Sequence, residues 1–202
     1  MTIRLVNVIV KKMNFQAVRT TLLRKGIGLF SAQDFINVFA LSRELANVKL
    51  SRYKKQGYLV SPKKGIYYFP DSPPDNFVLA NHIYMPSYVS LETILSKEGI
   101  IPESVYAITS ITTKATREFI DNGVAYSYSR IKKEVYTGYC LENGAQIATP
   151  EKALADYLYF VSQGRKILND RITFSRINKK ECLECVYLFG NKRLDNLVRK
   201  IF

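Results

Sequence analysis

The sequence predicts an α+β protein: an N-terminal winged helix-turn-helix domain followed by a larger mixed α/β domain. Three observations predict it. Residues 14–69 read as three amphipathic helices and then a β-hairpin. Charge divides unevenly along the chain. Residues 1–70 hold thirteen Lys or Arg against two acids, Asp34 and Glu44, a net of +11; residues 71–202 hold seventeen against fifteen, a net of +2. The change coincides with Pro70-Asp71-Ser72-Pro73-Pro74-Asp75, whose three prolines block continuation of helix or sheet. The expected domains are therefore 1–70, a linker with a connecting helix over 71–86, and 87–202.

The first helix is expected over Asn14–Lys25, with Phe15, Val18 and Leu22 on one face. Ser31 is placed to cap a second helix ending near Phe39, its apolar residues Phe35, Val38 and Phe39. After a tight turn at Ala40-Leu41, Ser42 caps a third helix running to about Gln56, with Gly57 as its stop. The inward stripe of that helix is Ala46, Leu50 and Tyr53. Strands over Tyr58–Ser61 and Ile66–Phe69 are joined by the turn Pro62-Lys63-Lys64-Gly65.

Beyond the prolines, Asp75 caps a connecting helix to about Tyr84, and Ser90 caps a helix from Leu91 to Glu98 that Gly99 and Pro102 end. Strands are expected at Ser104–Ile111 and Ala115–Ile120. Asn122-Gly123 then turns into the alternating Val124, Tyr126 and Tyr128. Glu134–Leu141 and Ala145–Ala148 flank a second Asn-Gly pair. Thr149 caps and Pro150 opens a helix with Leu154, Tyr157, Leu158 and Val161 inward, and Glu151 and Lys152 exposed in its first turn. Helices Asn178–Phe189 and Lys192–Ile201 close the chain.

With Ala46, Leu50 and Tyr53 inward, the third helix turns Arg43, Asn47, Ser51, Lys54 and Lys55 outward, with Lys49 and Arg52 on its flanks. Those residue types suit double-stranded DNA. Arg43 and Asn47 near the helix start can pair with guanine or adenine edges. Arg52, Lys54 and Lys55 suit phosphates, and Lys63 and Lys64 at the hairpin tip can reach the neighbouring backbone. Such contacts work by releasing condensed counterions, so binding must weaken with salt.

Several chemistries find no support. Cys182 and Cys185 have the spacing of a zinc half-site, but only Cys140 and His82 remain as partners, so buried thiols on one helix are expected and no metal. His82 is the single histidine and has no Ser/Asp set around it. No paired-carboxylate metal motif or Gly-rich phosphate loop occurs, so neither catalytic residues nor cofactor are expected. Three cysteines make no disulfide framework, which points to a reducing, cytoplasmic setting. No apolar run reaches membrane-spanning length, and Met1–Lys12 is too short and interrupted for a leader peptide.

Three segments of the second domain resemble the AbiEi antitoxin family. They are Pro86–Leu95 with Gly99–Glu103, Val105–Ser110, and Ile147-Ala148-Thr149-Pro150-Glu151-Lys152-Ala153-Leu154-Ala155-Asp156. Phe30–Tyr58 and Lys64-Gly65-Ile66-Tyr67 are similar to the winged helix of the same proteins. The resemblance covers roughly residues 14–160. It implies an antitoxin of a type IV toxin–antitoxin, or abortive infection, system. Such a protein represses its own operon at inverted repeats of operator DNA. Its second domain counteracts a nucleotidyltransferase-like toxin, generally without a stable complex. Alternatives are a winged-helix regulator whose second domain binds a ligand or dimerises, and an enzyme delivered to DNA.

Overall fold

A computed structural model describes residues 14–202; the segment Met1–Lys12 lies outside the described residues. The chain is mixed α+β and divides into two compact units between Asp75 and Asn76.

In the first unit, α1 (Phe15–Arg24) starts where the Asn14 side chain accepts from the Ala17 backbone N–H at 3.1 Å. A short strand β1 (Leu29–Ser31) follows, then α2 (Ala32–Phe39). Ser31 and Asp34 form a reciprocal capping box at the start of α2. Ala40, left-handed at φ 48°, turns the chain into α3 (Arg43–Lys55), which Ser42 caps through the Leu45 N–H. Gly57, at φ 73°, supplies the left-handed stop that an L side chain adopts only with strain.

Strands β2 (Val60–Lys63) and β3 (Ile66–Tyr68) complete a three-stranded antiparallel sheet in the order β1-β3-β2. The hairpin differs from the sequence expectation. Lys63 pairs with Ile66, so the turn is Lys64-Gly65 alone, and Pro62 lies within β2. Proline is tolerated there because β2 is an edge strand, where a missing N–H costs no ladder bond. The core gathers Val18, Leu22, Phe30, Phe35, Leu41, Ala46, Leu50, Tyr53, Leu59 and Phe69.

The second unit is a six-stranded mixed sheet covered by helices. In chain order it holds α4 (Asn76–Ile83), β4 (Ser87–Val89), α5 (Glu92–Lys97), β5 (Ile108–Thr112), β6 (Arg117–Asp121) and β7 (Val124–Arg130). A 3₁₀ turn over Lys133–Val135 precedes β8 (Tyr139–Glu142) and β9 (Ala145–Ala148), and a second spans Phe174–Arg176. The helices α6 (Pro150–Ser162), α7 (Lys179–Tyr187) and α8 (Lys192–Ile201) end it. The sheet order is β6-β7-β5-β4-β9-β8, with β5 parallel to β7 and β4 parallel to β9.

Four expectations need correction here. The strand expected over Ser104–Ile111 starts only at Ile108. The strand expected over Glu134–Leu141 is a 3₁₀ turn and then a strand that starts only at Tyr139. Ser90 does not cap α5. Its hydroxyl donates instead to Asp156 at 2.8 Å, and Leu91 at φ 59° occupies the cap position without a side-chain bond. The helix expected as a connector belongs to the second unit: α4 buries Leu79, Ala80 and Ile83, and Asn81 accepts from the Gln146 N–H and donates to the Ser87 carbonyl.

Candidate nucleic-acid interface

The inward stripe of α3 is as expected, with Ala46 and Leu50 fully buried and Tyr53 nearly so. Burying those three removes apolar area worth roughly 1.5–3 kcal/mol for a Leu-sized side chain. It also fixes which residues face outward. At about 100° per residue, Arg43, Lys54, Asn47 and Ser51 fall on one flank, and Lys55 continues it. All five are exposed. The structure therefore brings this set together on one helix face.

Lys49 and Arg52 lie on the other flank. With Phe15, Arg19, Leu45 and Tyr58 they line a groove of about 1040 Å³ beside α1. Lys49 is half-buried, and that burial, then the Arg52 charge, lowers its amine below the ordinary lysine value. Lys49 is thus held against the protein, whereas the Arg43 flank is free of such packing. Arg19 in the same groove is paired with Asp71 at 2.7 Å.

At the hairpin tip, Lys64 is exposed and Lys63 is half-buried. The Ala32 N–H donates to the Gly65 carbonyl at 2.9 Å, which fastens the tip to the start of α2. Gly65 itself sits at φ 90°, so the two-residue turn requires glycine. All nine sequence-predicted residues lie in the first unit, on three surfaces: the Arg43 flank, the groove and the tip.

Two residues of the exposed α3 surface were not singled out in the sequence. Val48 is 66% exposed, an apolar group with no core to join. Such a group matches a thymine methyl. Its signal was available, because 48 falls outside the stripe defined by 46, 50 and 53. Glu44 is also exposed, and bonds from its own backbone N–H and from Ser42 hold its carboxyl below the usual range. It places a negative charge among the cations of the helix start.

The Glu151–Lys152 pair corrects the sequence reading outright. Both are buried, Lys152 completely. The reason is Asp156, one turn on along α6 and also completely buried, whose Oδ1 takes the Lys152 ammonium. Tyr88 and Ser90 donate to the other Asp156 oxygen at 3.0 and 2.8 Å. The Lys152 stem fills the space over Gly138, where a Cβ would meet its Cγ at 2.9 Å, and the ammonium lies 4.8 Å from the Phe189 ring centroid. Burial pushes the Asp156 carboxyl up, and the three donors pull it back. The Thr149–Asp156 motif therefore holds a polar centre inside the second unit rather than a displayed charge pair.

Among the described residues no group of three His, Cys, Asp or Glu side chains could hold a metal ion, and no helix is long and apolar enough to cross a membrane. Cys182 is buried on α7, its thiol pushed up to about 12 by burial, with Cys185 half-buried and Cys140 exposed. His82 is half-buried, its Nδ1 2.9 Å from the Val78 carbonyl.

No family model and no curated protein matches the chain. Among solved structures, the Rv2827c protein from Mycobacterium tuberculosis is similar at 14% identity and a TM-score of 0.46, over 94% of this chain and 82% of that one. A likeness at that level carries no argument about activity.

Proposed function

We propose that the chain is a DNA-binding autorepressor and the antitoxin of a type IV toxin–antitoxin system. The first unit acts as a winged helix-turn-helix. Its α3 enters the major groove, a groove wide enough for a helix and bearing the full base code. Arg43 and Asn47 read base edges there. Lys54, Lys55 and Arg52 hold phosphates, Ser51 and Lys49 support them, and Lys63 and Lys64 contact the flanking backbone from the hairpin. The observation that carries this half is the exposed Arg43–Asn47–Ser51–Lys54–Lys55 face of α3 within a segment of net charge +11.

The second unit supplies the antitoxin role against a nucleotidyltransferase-like toxin. The support is the resemblance carried by Pro86–Leu95 and Ile147–Asp156, whose residues converge on the Tyr88–Ser90–Lys152–Asp156 centre.

Co-expression with the neighbouring open reading frame tests the antitoxin half. That frame is expected to arrest growth alone and to be tolerated with this chain; a harmless neighbour refutes the antitoxin reading. A reporter driven by the operon's promoter tests the repressor half. Arg43→Ala with Asn47→Ala should derepress it and leave protection intact. About six phosphate contacts per bound copy predict a log–log salt slope near −5, and a salt-independent affinity refutes DNA binding. A harmless neighbour with intact repression would instead favour a regulator whose second domain binds a ligand or dimerises.

A further inference from the structure

Over residues 76–202 the second unit holds seventeen Lys or Arg against thirteen Asp or Glu, a net of only +4, yet its charges are segregated. At one end of its sheet, where β5 and β7 finish and β6 begins, three chain segments converge. The Ile131 N–H donates to the Thr112 carbonyl at 2.9 Å, the Arg130 N–H to Thr116 Oγ1 at 3.3 Å, and the Lys114 N–H to Thr112 Oγ1 at 3.2 Å. These bonds gather Lys114, Arg117, Arg130, Lys132 and Lys133, all exposed. Among the described residues none of the five takes part in an ion pair.

The strand register sets two of them on one sheet face. Arg117 stands opposite Tyr128, and Arg130, two residues on, shares its sheet face. Diagonal neighbours of this kind lie about 7–8 Å apart. Tyr84 packs on the same Tyr128 ring at 5.3 Å, and the Lys114 ammonium sits over Tyr84 at 5.7 Å from the ring centroid. The acids of the hairpin are kept away. Glu118 points to the opposite sheet face, cross-strand from Ser127. Asp121 is four residues along β6, about 14 Å from Arg117. Glu134 alone follows the Lys132–Lys133 pair.

Like charges set across neighbouring strands destabilise a sheet. A fold that collects five of them with a single adjoining acid outside the hairpin, Glu134, presents a surface for a densely anionic partner. A second basic cluster of this unit differs: on α8, Arg199 and Lys200 occupy the last turn, where they complement the helix dipole, and Asp195 sits among the rest. We infer that the Lys114–Arg117–Arg130–Lys132–Lys133 end of the sheet binds the phosphate backbone of a nucleic acid without regard to sequence. Two arginines with rigid forks suit phosphate oxygens, and a polymer of closely spaced phosphates returns counterions for each contact. The site lies in the other unit from α3 and stands independently of the reading given to that helix. Within one chain it adds a second contact whose effective concentration rises through the covalent connection.

The test uses the full chain, duplex DNA of unrelated sequence and duplex RNA of the same sequence. Binding is measured across a salt series. The triple variant Lys114→Gln, Arg117→Gln, Arg130→Gln should flatten the log–log salt slope by about 2 to 3, at roughly 0.9 for each phosphate released. The thermal midpoint should stay at the parent value. Whichever duplex shows the loss identifies the nucleic acid. The α8 variant Lys192→Gln, Arg193→Gln, Lys200→Gln makes the same change in net charge and should leave the slope alone. Equal flattening by both sets, or none by the first, overturns the inference. So does loss of binding to polyglutamate with binding to both duplexes retained, which would make the surface an acidic-protein site. Should the triple variant unfold, Lys132→Gln with Lys133→Gln supplies the same readout, with a slope change of about 2 expected and no change refuting. Retained sequence preference in these variants separates this surface from α3, whose Arg43→Ala variant loses preference instead.

Discussion

The two units handle their cations in opposite ways. In the first, Arg19 is ion-paired with Asp71, while Arg43, Arg52, Lys54, Lys55 and Lys64 are exposed on α3 and at the hairpin tip. In the second, Lys97, Lys166 and Arg171 are paired with Glu142, Glu92 and Glu103, and Lys152 is drawn wholly inside against Asp156. Net charge therefore means different things in the two units. In the first unit it reports the surface directly. In the second it sums an internal pair, neutralised surface pairs and a basic sheet end into a net of only +4.

The largest effect that would sharpen this contrast lies at Lys152. Lys152→Met strands the buried Asp156 carboxylate and should destabilise the second unit by about 3–5 kcal/mol, seen as a lower urea midpoint. Adding Asp156→Leu should recover most of that loss, because an apolar pair carries no desolvation cost. A single variant with parental stability would show that the pair is not a buried charge centre. Cys182 gives a second readout of the same opening. Its thiol is pushed up to about 12, against an unfolded value near 8.5. The folded state thus favours the thiol form, so this contribution to stability is complete below about pH 8.5 and declines as pH rises toward 12. At pH 9 alkylation of Cys182 should be slow in the parent and fast in Lys152→Met, with exposed Cys140 reacting equally in both.

The next effect lies on the other side of the comparison. Arg43→Ala should cost about 1–3 kcal/mol at one base position of the operator. The exposed site should keep stability within about 0.5 kcal/mol. Lys64→Ala should weaken every sequence alike and reduce the salt slope by roughly one. If Arg43→Ala also weakened all sequences equally, base reading by α3 would be wrong, and the α3 face would be a backbone contact.

The elements of the first unit were legible for physical reasons. Ser42, the 46–50–53 stripe and Gly57 each act within one or two turns, so local spacing defined α3. Strand β1 was missed because three residues are too few to show alternation, and only its pairing with β3 makes it a strand. Ser90 was read as a cap because its partner, Asp156, is 66 residues away in sequence. Lys152 was misread although α6 is apolar nearly all round, at Ala153, Leu154, Ala155, Tyr157, Leu158 and Phe160, which marks a buried helix whose charges must pair internally. The basic sheet end was invisible because its members come from two strands and two separate connecting segments, and composition averages over them.

The smallest expected effect concerns Glu44, the one acid on the α3 surface. Its carboxyl is held below the usual range by hydrogen bonds at the helix start, so it is ionised throughout the neutral range. Its local stabilising contribution is therefore present above the unfolded carboxylate value and lost only as pH falls through the lower folded one. In the proposed DNA complex two effects oppose each other. The charge repels phosphates, which Glu44→Gln would relieve for every sequence. The carboxylate can also accept from a cytosine N4 amine, which Gln would weaken at a single base. Exposure and salt screening keep the first term small, roughly a twofold gain in affinity for unrelated duplexes. The cytosine contact, if made, appears as a loss confined to one position of the operator. A uniform gain would mean that Glu44 moderates the positive face of the first unit without reading sequence, much as the second unit tempers its cations with nearby acids. A one-position loss would make it part of the reading surface, with Arg43 and Asn47.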